Sequence, residues 1–235
     1  MQLLISVTSD DEARIAIAAS RDIILDVKNP LEGSLGAQFP HILQQIRASA
    51  PKPLKVSAAI GDMPNLPGTA ALAALGAATC DVDYIKVGLW GPKTEVEAIF
   101  LLQHVRRAVI NFPDVAVIAA AYADAQRANT LDPGRLLHIA RSANVQGCLI
   151  DTAIKDGCSL FDFLTPEALR SLAKTAHAMG LIFALAGTLH EHDLLRVRNL
   201  GADVAGVRTA ACRDNCRTGP LDADRVRRLC EIIRG

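Results

Sequence analysis

The sequence has few aromatic residues and no excess charge of either sign. Phe, Trp and Tyr make up 4% of its 235 residues, and 25 Lys and Arg balance 25 Asp and Glu. Proteins bind nucleic acids mainly through basic surfaces and through aromatic side chains on which bases stack. The composition therefore predicts no nucleic acid as partner, and it gives no electrostatic support for binding to an anionic membrane.

Long apolar segments and nucleotide-binding motifs are also lacking. The run of small apolar residues from Ala70 to Cys80 is too short, and too rich in Ala and Gly, to span a bilayer. Met1 to Val7 is typical of a strand and has neither a basic region nor a cleavage signal, so we expect a cytoplasmic protein without a membrane partner. Neither GxxxxGK[ST] nor GxGxxG occurs, and a nucleotide cradle has no support.

The six cysteines show no pairing pattern. They are scattered through a chain that is 50% hydrophobic and can bury a sizeable core, so we expect reduced thiols. Cys212 and Cys216 have the spacing of half a metal site, but no second pair matches them. His190-Glu191-His192 is better explained as the start of a helix than as a metal site. We therefore predict no metal and no cofactor.

Apolar, β-branched runs alternate with helical patterns along the whole chain. Strict alternation favours a parallel sheet, and eight strand–helix units at this length favour a closed barrel. We predict an α/β protein with one domain over residues 1–235, a (β/α)8 or TIM barrel. The predicted strands are Leu3–Val7, Ile23–Val27, Leu54–Ala59, Tyr84–Val87, Val115–Ala120, Gly147–Ile150, Leu181–Ala186 and Asp203–Val207. The predicted helices are Asp10–Ala19, Pro40–Ser49, Thr69–Thr79, Thr94–Asn111, Pro133–Ala143, Thr165–Met179, Glu191–Leu200 and Asp222–Ile233.

Polar residues follow the apolar core of several predicted strands, and barrels of this kind carry their chemistry where strands give way to the following loops. Asp26 and Lys28 lie two residues apart and therefore share one face of a strand. An ion pair facing water would explain them alone, but Lys86 ends another strand, and a third strand leads into Asp151 and then Lys155. We predict a shared active site built from Asp26, Lys28, Lys86, Asp151 and Lys155. Residues of the neighbouring loops are predicted to bind phosphate or substrate: Ser34, Gly36, Asp124, Gly187, Thr188, Arg208, Thr209 and Ala210.

Several lysines with carboxylate companions suit carbonyl chemistry through an imine. An ordinary lysine side chain has a pKa of about 10.4, so at pH 7 only about one such side chain in 2,500 is neutral and nucleophilic. A second ammonium nearby and partial burial can lower that pKa. Once the imine has formed, adjacent C–H bonds become acidic, and the remaining lysines and carboxylates can move protons.

The motifs at these strand ends resemble the (5-formylfuran-3-yl)methyl phosphate synthase family, also called 4-(hydroxymethyl)-2-furancarboxaldehyde phosphate synthase. The resemblance covers essentially the whole chain. Visible departures are confined to Thr209 and to Asp214-Asn215-Cys216, where relatives commonly have glycines. The segments that carry the resemblance are Asp26-Val27-Lys28-Asn29-Pro30, Glu32-Gly33-Ser34-Leu35-Gly36-Ala37, Tyr84-Ile85-Lys86-Val87-Gly88-Leu89, Asp151 to Gly157, Leu160 to Phe163, Ala184 to Gly187, Gly206-Val207-Arg208 and Ala210-Ala211-Cys212.

The resemblance implies a (β/α)8 lyase of methanofuran biosynthesis, found in methanogens and in bacteria that use C1 compounds. Such an enzyme joins two molecules of glyceraldehyde 3-phosphate into a phosphorylated furan aldehyde, with release of phosphate and water. The Schiff-base lysine of the family falls on Lys28, and the lysine that accepts a proton falls on Lys86. Asp26, Asp151 and Lys155 take supporting positions. After loss of the β-phosphate, we expect an aldol-type attack on the second aldehyde, cyclisation and dehydration.

Two other functions remain open from the sequence. A different class I aldolase or a sugar-phosphate isomerase could use the same lysines and phosphate loops. A non-catalytic barrel that binds phosphorylated metabolites would show binding without turnover. In each case the partner is a phosphorylated small molecule, a triose in the favoured interpretation, and we also expect a homo-oligomer.

Overall fold

Eight parallel strands close into a barrel in the computed structural model, which describes residues 1–234. Each strand pairs with the next along the chain, and the first pairs with the last through Gln2 to Ile5 and Val204 to Val207. The strands are β1 (Gln2–Val7), β2 (Ile23–Val27), β3 (Lys55–Asp62), β4 (Tyr84–Gly88), β5 (Ala116–Tyr122), β6 (Gly147–Asp151), β7 (Ile182–Leu185) and β8 (Val204–Val207).

Helices follow the strands and cover the outside of the barrel. They are α1 (Asp10–Ala19), α2 (Pro40–Ser49), α3 (Pro67–Ala78), α4 (Glu95–Ala108), α5 (Ala125–Ala128), α6 (Leu136–Ser142), α7 (Pro166–Ala178), α8 (Asp193–Asn199) and α9 (Ala223–Arg234). Their ends carry ordinary capping groups: Ser9 accepts a hydrogen bond from the Glu12 amide, and Thr94 forms a capping box with Glu97. No helix within residues 1–234 is long and apolar enough to cross a membrane.

The predicted (β/α)8 barrel is confirmed, and the element bounds differ in a few places. Strand β3 runs three residues past its predicted end, to Asp62. The segment predicted as a helix over 133–143 is a 3₁₀ turn at Pro133–Arg135 followed by α6, because Asp132 caps the turn through the Gly134 amide. Helix α5 is missing from the prediction, since four residues are too few to show a helical period.

Strand alternation divides the apolar side chains into two layers. In β2, Ile23, Leu25 and Val27 point outward and join the large core between the sheet and the helices. Ile24, on the opposite face, belongs to a smaller cluster inside the barrel. The interior cluster is made largely of small or β-branched residues: Ile24, Leu35, Ala59, Ile118, Ala120, Tyr122, Leu149, Ala184, Ala186 and Val204.

The same alternation makes the barrel interior apolar at one end and polar at the other. Following Ile24 in β2, the next inward residues toward the carboxyl end are Asp26 and then Lys28. In β4, Tyr84 is followed inward by Lys86, and in β6, Leu149 is followed by Asp151. All of these residues line one cavity, so the register of the strands collects charged groups above an apolar floor.

Gly147 at the start of β6 is a position where packing requires glycine. A Cβ atom there would lie 2.8 Å from Ile118 Cδ1 and 2.9 Å from Ile182 Cβ, side chains of the two neighbouring strands.

We predict that Gly147→Ala destabilises the protein by about 1–3 kcal/mol, because overpacking forces the barrel wall apart. Gly76→Ala in α3 is the control, since a Cβ there meets nothing within 4 Å and alanine favours helix. Urea unfolding followed by circular dichroism measures both, and equal midpoints would contradict the prediction.

Candidate active site

Lys28 lies at the carboxyl end of β2 with its side chain buried inside the barrel, where its residue is only 5% exposed. Its Nζ donates a hydrogen bond of 3.3 Å to the Ser34 carbonyl. Burial, the largest cause, and the ammonium of Lys86 lower the pKa of Lys28, Asp151 and Asp26 oppose them, and the net result is a pKa of about 7. Near neutral pH a large fraction of this amine is therefore unprotonated and nucleophilic.

Lys86 and Asp26 form a buried ion pair beside Lys28. The Lys86 Nζ donates to Asp26 Oδ2 over 2.6 Å, and both residues are at most 4% exposed. Ser6 Oγ donates to the same carboxylate oxygen over 3.1 Å. The pair spans β2 and β4, so the closed sheet holds both groups in place. A charge-assisted hydrogen bond this short gives a path for a proton between lysine and aspartate.

Asp151 and Lys155 form the second ion pair of the pocket. The Lys155 Nζ donates to Asp151 Oδ1 over 2.6 Å and to Thr152 Oγ1 over 3.0 Å. Burial alone would raise the pKa of Asp151, but the cations of Lys155 and Lys28 and the Thr152 amide lower it below the ordinary value. Asp151 is thus an anion at neutral pH and faces Lys28 from the opposite wall.

Two buried oxygen atoms of the pocket wall have no hydrogen-bond partner within the protein: Asp26 Oδ1 and Ser57 Oγ. Asp26 and Ser57 are register partners on β2 and β3, are fully buried, and both line the cavity. Because leaving a buried polar atom unpaired costs about 1–3 kcal/mol, such atoms mark a place where a ligand or water completes the site.

The loop after β2 is held by Asp62 at the end of β3. Asp62 Oδ2 accepts hydrogen bonds from the Ser34 amide over 2.7 Å and the Leu35 amide over 3.3 Å, and its Oδ1 accepts one from the Tyr122 hydroxyl. Gly33 makes this approach possible: its φ is 129°, and a Cβ atom there would lie 2.2 Å from Asp62 Oδ2. Asp62 thereby fixes the Ser34 carbonyl that accepts from Lys28.

The predicted catalytic residues come together in one cavity, whereas the predicted binding residues divide into two groups. Gly187, Thr188 and Thr209 line the cavity beside Arg208. Ala210 is buried without lining it. Ser34, Gly36 and Asp124 also lie outside its wall, and each has a structural contact instead. Ser34 Oγ donates to the Thr152 carbonyl, the Gly36 carbonyl accepts from the Asn29 amide, and the Asp124 carboxylate accepts from the amides of Ala153 and Ile154.

Arg208 points to the cavity, yet every N–H group of its guanidinium already donates to the protein. Nη1 and Nη2 donate to the two oxygens of Glu12 over 2.6 and 2.9 Å, and Nη1 also donates to the Ser6 carbonyl. Nε donates to the Arg217 carbonyl and Nη2 to the Gly219 carbonyl. A guanidinium has five donors, and all are used, so none is left for a phosphate.

Sequence reasoning assigned no role to four residues of this site: Ser57, Asp62, Tyr122 and Arg217. Asp62 and Tyr122 follow predicted strands, where the sequence indicates polar groups without a role for these two, but Ser57 and Arg217 have no signal in the sequence. Cys212 is buried and Cys216 exposed, and within residues 1–234 no group of three or more His, Cys, Asp or Glu is placed to hold a metal ion.

Comparison with known proteins identifies the family of this chain. A family model described as 4-HFC-P synthase matches residues 3–230. The (5-formylfuran-3-yl)methyl phosphate synthase of Methanopyrus kandleri is 47% identical over 234 residues, covering 99% of this chain and 98% of that protein. The enzyme of the same name from Methanocaldococcus jannaschii is 46% identical over 236 residues, with complete coverage of both.

Among solved structures, phosphoribosyl anthranilate isomerase from Thermus thermophilus superposes with a TM-score of 0.64 at 18% identity, covering 100% of this chain and 98% of that one. This likeness concerns the fold alone.

The barrel, its lysine-lined pocket and the named synthases together define a synthase of the (β/α)8 class. More closely, the chain belongs to the 4-HFC-P synthase family, as the family match and the full-length identity to its members show.

The geometry around Lys28 predicts an unusual pH dependence of its reactivity. An amine-reactive reagent should label Lys28 with a rate that rises through pH about 7, because only the neutral amine reacts. In Lys86→Gln this rise should move to higher pH, since loss of the neighbouring cation removes one cause of the lowered pKa. Peptide mass spectrometry quantifies the label, and exposed Lys174 in the same digest serves as the reference. A rise near pH 10 in the unaltered protein would contradict the prediction.

Proposed function

We propose that this chain condenses two molecules of glyceraldehyde 3-phosphate through a Schiff base at Lys28 into (5-formylfuran-3-yl)methyl phosphate, a lyase step of methanofuran biosynthesis. Membership of the 4-HFC-P synthase family supports the product. The main support for the Schiff base is the buried amine of Lys28. Its pKa is about 7, and no carboxylate among residues 1–234 lies within salt-bridge distance of it. The other two lysines of the pocket are each paired with an aspartate, so Lys28 is the one suited to attack a carbonyl.

The first step is imine formation. The neutral Lys28 amine attacks C1 of the first triose, and the resulting carbinolamine loses water to give a protonated imine. The unpaired Asp26 Oδ1 and Ser57 Oγ can hold the hydroxyl group that is leaving as water or the adjacent C2 hydroxyl. Asp151, an anion on the opposite wall, stabilises the positive charge of the imine.

The second step removes a proton and a phosphate. The imine makes the C2 proton acidic, and the Lys86–Asp26 pair can accept it, with Lys86 taking up the proton after passing its own to Asp26. The electrons released at C2 form the C2–C3 double bond as the C3–O bond to phosphate breaks. The product is an enol on the imine whose C3 is nucleophilic.

The skeleton of the product determines where the next bond forms, and it revises the expectation of attack on the second aldehyde. The CH₂–phosphate group of the product is a branch on the furan ring, so C3 of the first triose must bond to C2 of the second. Carbon 2 is electrophilic only as a carbonyl, so the second triose reacts in its keto form. Lys155 with Asp151 stands on the other side of the pocket, and this pair can shift the proton from C2 to C1.

Ring closure and dehydration complete a balanced reaction. The C1 hydroxyl of the second triose attacks the C2 carbonyl of the first and closes the ring. The hydroxyl groups then present on C2 of each triose leave as two water molecules to give the furan, and hydrolysis of the imine, which uses the water released when it formed, frees Lys28. Two molecules of glyceraldehyde 3-phosphate thus give one furan phosphate, one inorganic phosphate and two water molecules. The reaction changes no oxidation state overall and requires no added cofactor. The cytoplasmic location and the homo-oligomer stay predictions.

Trapping tests the Schiff base directly. Borohydride reduction in the presence of glyceraldehyde 3-phosphate should fix a triose-derived mass on the peptide that contains Lys28. Lys28→Arg should abolish both the label and the ultraviolet-absorbing furan, because a guanidinium cannot form the imine. Lys174→Arg on the exposed face of α7 should leave both unchanged.

Product analysis separates the proposal from its rivals. Furan absorbance and free phosphate appearing together from glyceraldehyde 3-phosphate alone support the synthase. An isomerase or another aldolase would give a sugar phosphate without phosphate release, and a binding protein would give neither. A borohydride label on a different lysine would exclude the role assigned to Lys28.

Ser57→Ala tests the unpaired hydroxyl. We expect kcat/KM for glyceraldehyde 3-phosphate to fall about tenfold, because one hydrogen bond to the reacting triose is lost. The free energy of unfolding should stay equal or rise, since a buried unpaired oxygen is removed. Ser6→Ala is the contrasting variant: its hydroxyl already donates to Asp26, so its loss should lower stability as well. Unchanged kinetics in Ser57→Ala would remove this residue from the site.

A further inference from the structure

We propose that Arg217 is the cation that binds a substrate phosphate in this pocket, and that the buried Arg208–Glu12 pair positions it. The inference rests on the proposed function for the identity of the ligand, a phosphorylated triose. It moves the phosphate contact from Arg208, where the sequence placed it, to a residue nine positions further along the chain.

The Arg208 guanidinium has a structural role, because all its hydrogen bonds are made within the protein. Its guanidinium makes a two-pronged contact with Glu12 at the start of α1, and both residues are under 10% exposed. Glu12 is fixed in turn, because its Oε2 accepts from the amide and the hydroxyl of Thr8 over 2.8 and 2.9 Å. A buried arginine and glutamate that satisfy each other cancel in charge and attract no further anion.

What Arg208 holds is the backbone of the loop between β8 and α9. Its Nε donates to the Arg217 carbonyl over 2.9 Å, and its Nη2 donates to the Gly219 carbonyl over 3.0 Å. The loop is closed further by the amide of Arg213, which donates to the Pro220 carbonyl. These bonds involve only the backbone of residues 217 and 219. The Arg217 side chain lines the cavity, as do Thr188 and Thr209.

The Arg217 guanidinium, unlike that of Arg208, is available to bind a phosphate group. Within residues 1–234 no carboxylate lies within salt-bridge distance of its guanidinium, and none of its side-chain N–H groups donates to the protein. The side chain is partly buried at the mouth of the cavity, which sets it apart from an arginine solvated on the surface. An arginine held this way presents a planar fork of donors that matches a phosphate group.

The charges of the whole pocket favour an anion at this place. Lys86 is neutralised by Asp26 and Lys155 by Asp151, so Arg217 is left as a positive charge even when Lys28 is neutral. Thr188, which also lines the cavity, has the left-handed φ of 49°, which is rare for threonine and is typical of backbone held for a function. The phosphate of a triose bound at Lys28 would meet Arg217 together with this turn.

The test compares Arg217→Gln and Arg217→Lys with Arg213→Gln, an exposed arginine of the same loop. The first readout is calorimetric binding of inorganic phosphate to the full-length protein. We expect Arg217→Gln to weaken phosphate binding about 10- to 100-fold, Arg217→Lys to retain part of it, and Arg213→Gln to match the unaltered protein. Equal phosphate affinity in Arg217→Gln and the unaltered protein overturns the proposal.

The second readout separates phosphate recognition from chemistry. Arg217→Gln should raise KM for glyceraldehyde 3-phosphate with a smaller effect on kcat, while borohydride trapping of unphosphorylated glyceraldehyde on Lys28 should proceed at the unaltered rate. Equal losses with both aldehydes would mean that Arg217 supports the fold of the site, against the proposal. Phosphate binding does not depend on furan formation, so failure of the proposed function would leave this test intact.

A third variant addresses the positioning pair. Glu12→Gln should weaken phosphate binding as Arg217→Gln does, and the double variant Glu12→Gln with Arg217→Gln should lose no more than Arg217→Gln alone, because both changes act on one contact. The melting temperature of each variant shows that it is folded at the assay temperature. Additive losses, or unaltered binding in a folded Glu12→Gln, would overturn the positioning role.

Discussion

Burial of one amine among charges that already satisfy each other is the constraint on which this pocket depends. A charged lysine in a barrel interior costs several kcal/mol unless it is paired or loses its proton. Lys86 and Lys155 are paired with Asp26 and Asp151, at 2.6 Å in both cases. The Lys28 amine has only the Ser34 carbonyl as hydrogen-bond partner, and its burial lowers its pKa. Because both aspartates are held by other lysines, they raise the pKa of Lys28 too little to offset its burial.

The barrel supplies the rigidity that such an arrangement requires. Asp26, Lys86 and Asp151 are contributed by three different strands, and hydrogen bonding around the closed sheet fixes their separation. Small interior residues such as Ala184 and Ala186 leave the cavity open above the apolar floor. The interior also contains Tyr84 and Tyr122, and the Tyr122 hydroxyl donates to Asp62. The likeness to an isomerase at 18% identity shows that the scaffold alone leaves the chemistry open.

The fold, and the meeting of the lysines and aspartates in one cavity, could be predicted because both depend on period and position along the chain. Alternation of strand and helix patterns identifies the barrel, and a lysine two residues beyond Asp26 must point to the same side. The binding residues could not be predicted in the same way. Asp124 and Ser34 stand in the expected loops, yet their side chains bond to neighbouring backbone. Arg208 stands at the expected strand end, yet Glu12, 196 residues away in sequence, takes up its guanidinium.

By itself the sequence determined the class of fold, the end of the barrel where chemistry is possible, and the lysines and aspartates that line it. Local pattern suffices for these, since strand alternation and chain order fix which side chains face inward and at which end. Only the tertiary structure decided which lysine is unpaired, which oxygen atoms lack a partner and which arginine faces the cavity with unused donors. These properties depend on contacts between distant segments, and the balance of burial and charge at each atom exists only after the barrel has closed.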